Sequence, residues 1–540
     1  MKSMIVAPQP QAVEEGAKVL MNGGNAIDAA VTCAFVQMIV DFHCCGIGGY
    51  ILLTLQPACL SSEGNVNATV LDAPALAGSK VNPAMWVDKV IRPNPDGWGY
   101  FLEGKVNECG YQSICTPGTV KGLSTLLQQW GTISWEQAIF PAAQIAEEGF
   151  IVGSTLAESW KSKAKFPESS TMLDYIKKNS EASRIYLKAN GSPYDAGERL
   201  HNSDYASTLL RLAEKGPNDF YEGGLANNIL KDLEANDSFV TAEDFKNYKI
   251  REDEALVGTY QEFSLSTVLP PHGGPTLLAI LNILEGYDLS SYDHNSADYI
   301  YLISMAMKAA FADRNKYLAD TTFVDVPLEW MVSKERANEW RKHIDSGQPI
   351  DVSFTSFESP DTTHVTVVDS KGNCVALTHS LGMSSGVITP GLAFMYNNSM
   401  INYHPLAGHP NSYAPGKSRT TGMAPTIIYK EGKPVLVLGA PGATRIITSI
   451  LQVILNVIDF GMSISDAVHA PRCDCEGDLI QCQARIPEIV CAEIRKKHPV
   501  VRMPYSHGGL GLVHAITINP VSGKLSGAAD TGSDGMAMEV

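Results

Sequence analysis

The segment SPDTTHVTVVDSKGNCVALTHSLGMSSG, residues 359–386, carries the strongest structural signal in the chain. Two adjacent threonines open a run in which apolar and polar residues alternate, SKG follows, and a second alternating run ends in hydroxyl side chains. Alternation with a period of two predicts β-strands, and a three-residue connection that ends in glycine predicts a hairpin between them. The question is why Thr362 and Thr363 begin a strand directly after a polar, proline-marked stretch.

The turn determines which residues of the hairpin lie opposite each other. Pairing Asp369 with Asn373 across the loop places Thr362 opposite Ser380 at the open end. Directly opposed residues point to the same face of a sheet, with Cβ atoms about 4.5–5.5 Å apart. The sequence therefore predicts two neighbouring hydroxyl groups where the hairpin opens.

Thr362 has a structural and a chemical interpretation. Threonine is a common strand residue, so a threonine-rich strand pair is the simpler one. In the chemical one, the Thr362 hydroxyl attacks the carbonyl of Asp361, an ester replaces the peptide bond, and water cleaves that ester. The freed α-amine has an ordinary pKa of about 7.7–8.0 and lies within reach of its own hydroxyl, as a general base requires. The hairpin alone leaves both interpretations open.

The two sides of this position differ in their predicted elements. Hydrophobic periodicity predicts helices over 10–22, 26–40, 118–160, 203–235 and 297–318. Short strands are predicted over 362–368, 374–380, 426–429 and 435–439, with a helix over 444–461. A polar stretch, residues 343–361, separates the two parts. We expect an α+β fold with a helix-rich large part, residues 1–361, and a strand-rich small part, residues 362–540.

Composition excludes several functional classes. The net charge of −17 argues against nucleic acid or an anionic membrane as a partner, because both are bound by clustered basic side chains. The eleven cysteines lack the paired spacing of structural zinc sites, so we expect reduced thiols, no metal and no cofactor. The longest early apolar run, residues 29–40, is too short to span a bilayer and no secretory signal is recognisable, which predicts a cytoplasmic location.

Longer motifs connect the chain to a family. They include AVEEGAKVLMNGGNAIDAAV, GIGGY, TPGTVKGL, GPNDFYEG, PPHGGPTLLAILNILEGYDL, MAMKAAFADRNKYLAD, DTTHVTVVDSKGNCVALTHSL, GMAPTII and GAPGATRIITSILQVILNVIDFG. In these motifs, nearly end to end, the chain resembles the γ-glutamyltranspeptidase (glutathione hydrolase) family of N-terminal-nucleophile hydrolases.

The resemblance has implications for both fold and activity. It implies a four-layer αββα sandwich and self-cleavage between Asp361 and Thr362. The large and small fragments would remain packed together as a heterodimer. It also implies an acyl-enzyme that passes a γ-glutamyl or related group, of the glutathione or glutathione-conjugate type, to water or an amine.

Residue by residue, the resemblance assigns Thr362 as the nucleophile and Ser380 as the hydroxyl hydrogen-bonded to it. Gly442 and Ala443 match the pair whose backbone N–H groups form the family's oxyanion hole. Only an N–H group is required there, so alanine is acceptable. Without the resemblance, GAPGATR at residues 439–445 reads as a turn before a helix.

The substrate-binding positions depart from the family pattern. Val70 stands where the family carries an arginine for the substrate α-carboxylate, and Asn402 where it carries an acidic residue for the α-amine. Each lost charge-assisted hydrogen bond costs about 1.5–3 kcal/mol, which predicts an altered acyl group. A γ-glutamyl compound held differently, by Arg419 or Lys417, stays open. The substrate-binding residues implied by the resemblance are Gly382, Ser399, Asn402, Thr420, Thr421 and Gly422.

Other interpretations compete with this one. GMSSG, residues 382–386, fits G-x-S-x-G and would make Ser384 the nucleophile of a serine hydrolase, but such an elbow needs a following helix and VITPG follows instead. Loss of the glutamate anchors also fits a non-catalytic or specialised paralogue that retains the fold. His364, predicted to face Thr378, and His379 are interpreted as strand-face side chains rather than as bases.

Overall fold

The computed structural model describes residues 2–58, 68–94, 99–164, 166–352 and 361–540. Residues 353–360 of the polar stretch lie outside the described residues. The helix before that stretch runs on to Asp345, beyond the residue 343 at which the sequence predicts irregular structure.

The strands of the described residues are β1 (Met4–Ala7), β2 (Tyr50–Gln56), β3 (Thr69–Ala73), β4 (Val90–Pro93), β5 (Tyr100–Leu102), β6 (Phe150–Ile151), β7 (Arg199–Leu200), β8 (Arg251–Glu254), β9 (Leu256–Tyr260), β10 (Phe263–Thr267), β11 (Thr363–Val368), β12 (Cys374–Ser380), β13 (Thr426–Lys430), β14 (Lys433–Gly439), β15 (Cys473–Asp474), β16 (Ile480–Cys482), β17 (Val500–Arg502), β18 (His514–Ile518), β19 (Leu525–Ala529) and β20 (Met536–Glu539).

The α-helices of the described residues are α1 (Pro10–Met21), α2 (Ala26–Val40), α3 (Thr119–Trp130), α4 (Trp135–Glu148), α5 (Ser154–Ser159), α6 (Met172–Lys178), α7 (Ser180–Tyr186), α8 (Ser203–Lys215), α9 (Asn218–Tyr221), α10 (Gly224–Ala235), α11 (Ala242–Lys246), α12 (Gly274–Leu284), α13 (Ala297–Tyr317), α14 (Leu328–Met331), α15 (Lys334–Asp345), α16 (Arg445–Ile458), α17 (Ile464–His469) and α18 (Glu488–Ile494). The long predicted helices over 118–160 and 203–235 are each interrupted, because glycine at 131 and 216 stops a helix.

Two antiparallel sheets form the centre of the molecule. The first sheet has seven strands in the order β20–β1–β11–β12–β2–β3–β8, and the second has six in the order β19–β18–β14–β13–β10–β9. Helices α1, α2, α3, α4 and α8 cover the outer face of the first sheet, and α12, α13 and α16 cover that of the second. The layers therefore follow the order helix, sheet, sheet, helix, which confirms the expected αββα sandwich.

The sheets pack on each other through side chains from alternate strand positions. In β13, Ile427 points into the layer between the sheets whereas Ile428 points to the helices, as a period of two requires. The buried residues between the sheets include Met4, Val6, Val368, Cys374, Ala376, Ile427, Tyr429, Val437, Ile516 and Leu525. Both faces of each sheet are thus covered.

The register of the β11–β12 hairpin confirms the prediction from its turn. Thr363 pairs with His379 and His364 with Thr378, and the same register places Thr362 opposite Ser380. The Asp369 N–H donates to the Asn373 carbonyl across the loop. The side chains of even-numbered residues in β11 and β12 face the second sheet.

Segments from both sides of residue 361 are interleaved in one sheet. In the first sheet β1 lies between β20 and β11, and β12 lies beside β2. Strands from before and after residue 361 are therefore hydrogen-bonded to each other at three places across this sheet. Across the described ranges, none of the helices has the length and apolar character needed to cross a membrane.

We predict that Gly439→Ala destabilises the fold, because the sheets approach closely at this position. A Cβ at Gly439 would lie 2.2 Å from Cε1 of the buried His364 ring. Overpacking of this kind typically costs about 1–3 kcal/mol. The thermal unfolding midpoint should fall in Gly439→Ala and remain unchanged in Gly477→Ala, where a Cβ meets nothing within 4 Å. Equal midpoints for the two variants would contradict this account of the interface.

Candidate active site

Two glycines allow the start of β2 to lie against the end of β12. A Cβ on Gly49 would come within 2.3 Å of the Ser380 carbonyl oxygen, and one on Gly48 within 2.4 Å of the Met395 carbonyl oxygen. Because both obstacles are backbone atoms, a larger residue would displace the strand. The GIGG motif thus brings Tyr50 directly opposite Ser380 in the first sheet.

Thr362 and Ser380 form the centre of the site. Their hydroxyl oxygens are 3.2 Å apart, and both residues are buried. The Ser380 Oγ also lies 2.7 Å from the carbonyl oxygen of Asp361 and 2.8 Å from the backbone nitrogen of Gly382. Four of the residues predicted from sequence are therefore joined by hydrogen bonds.

The direction of these bonds follows from the single proton that a serine hydroxyl carries. The Asp361 carbonyl is an acceptor, so Ser380 donates to it. Ser380 then accepts from the Gly382 N–H and from the Thr362 hydroxyl. This arrangement polarises the carbonyl before Thr362 and leaves lone pairs of the Thr362 oxygen available to attack it. The geometry is suited to transfer of the acyl group from nitrogen to oxygen.

The electrostatic environment of Asp361 is unusual. Burial raises the pKa of its carboxyl group to about 6, nearby His43 lowers it, and Asp41 raises it further. This carboxyl group adjoins the peptide bond that the resemblance assigns to self-cleavage.

The opposite face of the hairpin holds a polar network that sequence reasoning missed. The Thr363 hydroxyl lies 3.0 Å from Nε2 of both Gln9 and Gln37. The Nε2–H of His379 in turn donates to Oε1 of Gln37 at 2.8 Å. Gln37 lies in the second helix and Gln9 directly precedes the first. In the sequence, the only signal for a polar network here is the polar side chain of Thr363 on the helix-covered face of the strand. Thr363 is thus held in place while Thr362 faces the second sheet.

The buried histidines of the hairpin are neutral side chains of the sheet. The Nε2–H of His364 donates to the Thr366 hydroxyl and its Nδ1 accepts from the Thr378 hydroxyl. Burial, with His514 and His379 nearby, lowers its pKa well below the ordinary value. Burial lowers the pKa of His379 to about 3. Both findings agree with their interpretation as strand-face residues.

Gly442 and Ala443 lie in the loop that leaves β14 beside the hairpin. Gly439, three residues earlier, touches the His364 ring. Gly442 has φ +134° and Ala443 φ +60°, so two successive residues take left-handed conformations. A Cβ on Gly422 would lie 2.2 Å from the Ala443 carbonyl oxygen, which explains glycine at that position.

Thr421 lies next to this contact and is fixed by a chain of polar groups. Its Oγ1 is 2.8 Å from Nδ1 of His272, whose Nε2 is 3.0 Å from a carboxylate oxygen of Asp72. The guanidinium of Arg314 donates to the Thr421 carbonyl oxygen at 3.1 Å. His272 therefore supports Thr421 through its side chain.

A buried cation lies on the same face of the sheet as the two hydroxyls. The Arg419 guanidinium carbon is 4.3 Å from the centre of the Tyr50 ring, and its Nε is 3.3 Å from the Ser399 hydroxyl. It also donates to the Thr420 carbonyl oxygen at 3.1 Å. No carboxylate of the described residues forms an ion pair with it. Burial lowers the pKa of Arg419 to about 9, so the guanidinium remains charged at neutral pH.

Ser399 and Asn402 begin and end one short 3₁₀ turn, Ser399–Asn402, whose residues are all buried. Arg419 reaches the first of them. The second, Asn402, is 1% exposed and lies in the interior of the same region. Lys417 differs from Arg419, because its ammonium group already bonds the carbonyl oxygens of Pro410 and Ser412.

The strand register corrects the interpretation of Val70. In β3 it pairs with Thr54, four residues along β2 from Tyr50. At about 3.4 Å per residue, this places it roughly 13 Å from the level of Thr362 and Ser380. A side chain at position 70 is therefore not next to the nucleophile, and the first position past β3 at that level is Pro74.

Ser384 lacks the surroundings of a nucleophile elbow. Its hydroxyl is fully buried and lies 3.0 Å from the sulfur of Met395. Turns and bends, rather than a helix, follow it up to residue 391. The serine-hydrolase interpretation is therefore wrong for this motif.

Comparison with known proteins gives consistent matches. The family model described as gamma-glutamyltranspeptidase matches residues 12–540. The acylase ACY 1 proenzyme of Pseudomonas sp. (strain SE83) is 35% identical, over 100% of this chain and 94% of that protein. The glutathione hydrolase proenzyme of Escherichia coli (strain K12) is 32% identical, over 87% of this chain and 80% of that protein.

A solved structure supports the fold. The cephalosporin acylase from Bacillus halodurans has a TM-score of 0.85 with this chain and 24% identity, covering 99% of this chain and 95% of its own. At that level of identity the likeness concerns the fold alone.

We predict that Ser380→Ala slows cleavage before Thr362 by about 100-fold or more. The variant removes the donor to the Asp361 carbonyl, and loss of one such donor costs about 10²–10³ in rate. The matched control is Ser384→Ala, a hydroxyl four residues away that faces Met395. Conversion of freshly made precursor, followed by gel electrophoresis, should be slowed in the first variant only. Equal cleavage rates in the two variants would show that Ser380 takes no part in cleavage.

Proposed function

The chain belongs to the gamma-glutamyltranspeptidase family of N-terminal-nucleophile amidohydrolases, and on this premise we propose that it is a self-processing amide hydrolase or acyltransferase with Thr362 as nucleophile. The observation that carries the proposal is the hydroxyl pair Thr362–Ser380 with the Asp361 carbonyl held against it. The names of both relatives, acylase and glutathione hydrolase proenzymes, agree with such chemistry.

The proposed reaction has two stages. In the first, Thr362 Oγ1 attacks the Asp361 carbonyl carbon, the C–N bond breaks, and water hydrolyses the resulting ester. This frees the Thr362 α-amine and leaves fragments 1–361 and 362–540. In the second, the α-amine accepts the proton of the Thr362 hydroxyl as that oxygen attacks a substrate amide, and water or an amine then removes the acyl group.

Charge stabilisation in the second stage is assigned to the loop after β14. The backbone N–H groups of Gly442 and Ala443 would hold the oxyanion, as in an oxyanion hole. Support comes from the position of this loop beside His364, two residues from Thr362, and from the left-handed backbone of both residues. The neutral histidines of the hairpin leave the α-amine as the base.

The acyl group that the site would accept carries a carboxylate. Arg419 is a buried cation with only neutral partners among the described residues, and burying a charge without a counter-ion is costly. Tyr50, beneath it, lies two strands from Thr362, which is about 10 Å. A short dicarboxylic acyl chain such as glutaryl would place its free carboxylate at Arg419 and its amide at Thr362.

The γ-glutamyl group is a weaker candidate for this pocket. It adds an ammonium group to the same chain, and the resemblance places the neutral Asn402 where the family holds that group with an acid. We therefore expect the site to prefer a related carboxylate-bearing amide over a typical γ-glutamyl compound. Ser399, Thr420, Thr421, Gly422 and Gly382 would complete the walls of the pocket.

We predict that purified wild-type protein consists of two fragments of about 39 and 19 kDa, their share of the 58.2 kDa chain, with the smaller beginning Thr-Thr-His. Thr362→Ala should remain a single chain, because its side chain lacks a nucleophile, and Thr362→Ser should still cleave. Thr363→Ala is the matched control and should cleave, since its hydroxyl faces Gln9 on the other side of the sheet. Intact mass and N-terminal sequencing measure all four proteins.

An uncleaved wild-type chain would contradict this proposal. It would instead favour the non-catalytic paralogue, which keeps the fold for binding.

We predict that Arg419→Gln lowers kcat/KM for glutaryl-p-nitroanilide by about 10- to 150-fold, the equivalent of a lost charged hydrogen bond worth about 1.5–3 kcal/mol. Butyryl-p-nitroanilide, which has no carboxylate, should be hydrolysed equally by variant and wild type. Lys417→Gln is the control, because its ammonium group is already bonded to carbonyl oxygens. Release of p-nitroaniline measures each rate.

Two results would contradict the assignment of Arg419. One is an equal loss for both anilides, which indicates a general structural defect. The other is an unchanged rate for glutaryl-p-nitroanilide in Arg419→Gln. Turnover of γ-glutamyl-p-nitroanilide by wild type at an efficiency above that of the glutaryl compound would instead contradict the preferred acyl group.

A further inference from the structure

A turn at the end of α2 brings three metal-ligand side chains together. Asp41, His43 and Cys44 each place one donor atom within 4.8 Å of the others. The turn follows directly after Val40, the last residue of the helix. None of these side chains belongs to the nucleophile, the oxyanion loop or the Arg419 pocket.

The distance between the Asp41 and His43 donor atoms fits two ligands of a tetrahedral ion. His43 Nδ1 and Asp41 Oδ1 are 3.3 Å apart. Zinc bonds nitrogen and oxygen ligands at about 2.0–2.1 Å, and two such ligands of a tetrahedral centre lie about 3.3 Å from each other. Aspartate, histidine and cysteine together are a borderline-soft donor set, which suits Zn²⁺ better than Mg²⁺ or Ca²⁺.

His43 gives an independent indication of a ligand. Its Nδ1 is buried and makes no hydrogen bond within the described part of the chain, although it faces the Asp41 carboxylate. A buried ring nitrogen without a hydrogen-bond partner is costly, and a metal ion would satisfy it. The negative end of the α2 dipole also points toward this turn and favours a cation.

The surroundings hold the donor atoms in position. Gln9 donates to Oδ2 of Asp41, which leaves Oδ1 directed at His43. The Leu381 N–H donates to the Cys44 carbonyl oxygen at 2.8 Å and so fixes the turn against the end of β12. Supporting hydrogen bonds of this kind orient metal ligands.

We propose that Asp41, His43 and Cys44 form a binding site for one Zn²⁺-class ion, with a fourth position open to water or another ligand. Cys44 loses its proton on binding, and the thiolate and the Asp41 carboxylate together balance the charge of the ion. The site adjoins Asp361, whose carboxyl group interacts electrostatically with Asp41 and His43. None of its three ligands has a role in the proposed acyl chemistry. The cysteine spacing in the sequence predicts no metal site, and this proposal differs from that prediction. That spacing rule concerns paired cysteines, not three different ligands on one turn.

The test is a titration with Co²⁺, which replaces Zn²⁺ in such sites and is coloured. Full-length wild-type protein and the Thr362→Ala chain are titrated after treatment with a chelator. Binding of one equivalent, with a thiolate-to-cobalt absorption band that Zn²⁺ displaces and Mg²⁺ does not, is the expected result. Co²⁺ binding to the Thr362→Ala chain can be measured without cleavage and without turnover of a substrate. The test therefore stays valid if the proposed function is wrong.

Variants identify the ligands. Cys44→Ser should abolish the absorption band, and His43→Gln should weaken Co²⁺ binding by more than the 10- to 100-fold that loss of a supporting residue costs. Cys109→Ser, a change at a part-buried cysteine elsewhere, should leave band and affinity unchanged. Thermal midpoints show that each variant is folded. Absence of stoichiometric binding, or a band that survives Cys44→Ser, would overturn the proposal and leave the thiol as a hydrogen-bond donor to Asp41.

Discussion

The site depends on one serine hydroxyl with more neighbours than protons. Ser380 lies within hydrogen-bonding distance of the Thr362 hydroxyl, the Asp361 carbonyl and the Gly382 N–H. With a single proton to donate, only one pattern satisfies all three, and that pattern leaves the lone pairs of the Thr362 oxygen free of the Ser380 proton, as the proposed attack on the Asp361 carbonyl requires. The pattern requires the hairpin register. A slip of one residue would turn the Thr362 hydroxyl toward Gln9 and away from the second sheet.

The hairpin and its register could be predicted from sequence because they rest on local rules. Alternation fixes the faces and the glycine turn fixes the pairing, and both were confirmed at Thr363–His379 and His364–Thr378. The αββα layers were correct for a different reason, since they came from the resemblance to a family. Helix boundaries over 118–160 and 203–235 were less accurate, because short interruptions at glycine do not disturb the average periodicity.

The pocket was harder to predict, because its residues meet only in three dimensions. The resemblance assigns a lost anchor to Val70, yet the strand register puts that residue opposite Thr54, about four residues from the level of Ser380. Arg419 and Lys417 were equivalent in the sequence. Their partners separate them, because Lys417 bonds carbonyl oxygens while Arg419 lies over an aromatic ring beside a hydroxyl. Burial of that charge is a property of the fold and has no signature in local sequence.

The interleaved first sheet has a consequence for the refolding and the kinetic stability of the protein after the proposed cut. In the precursor, β1 and β11 belong to one molecule, so their pairing is a search within a single chain. Once the bond before Thr362 is broken, the same pairing joins two molecules, each with unprotected strand edges if it is ever separated. Refolding would then depend on concentration and compete with aggregation. The uncut chain would act as the template for assembling both fragments, and the cut protein would persist through a barrier to unfolding rather than through a reversible equilibrium.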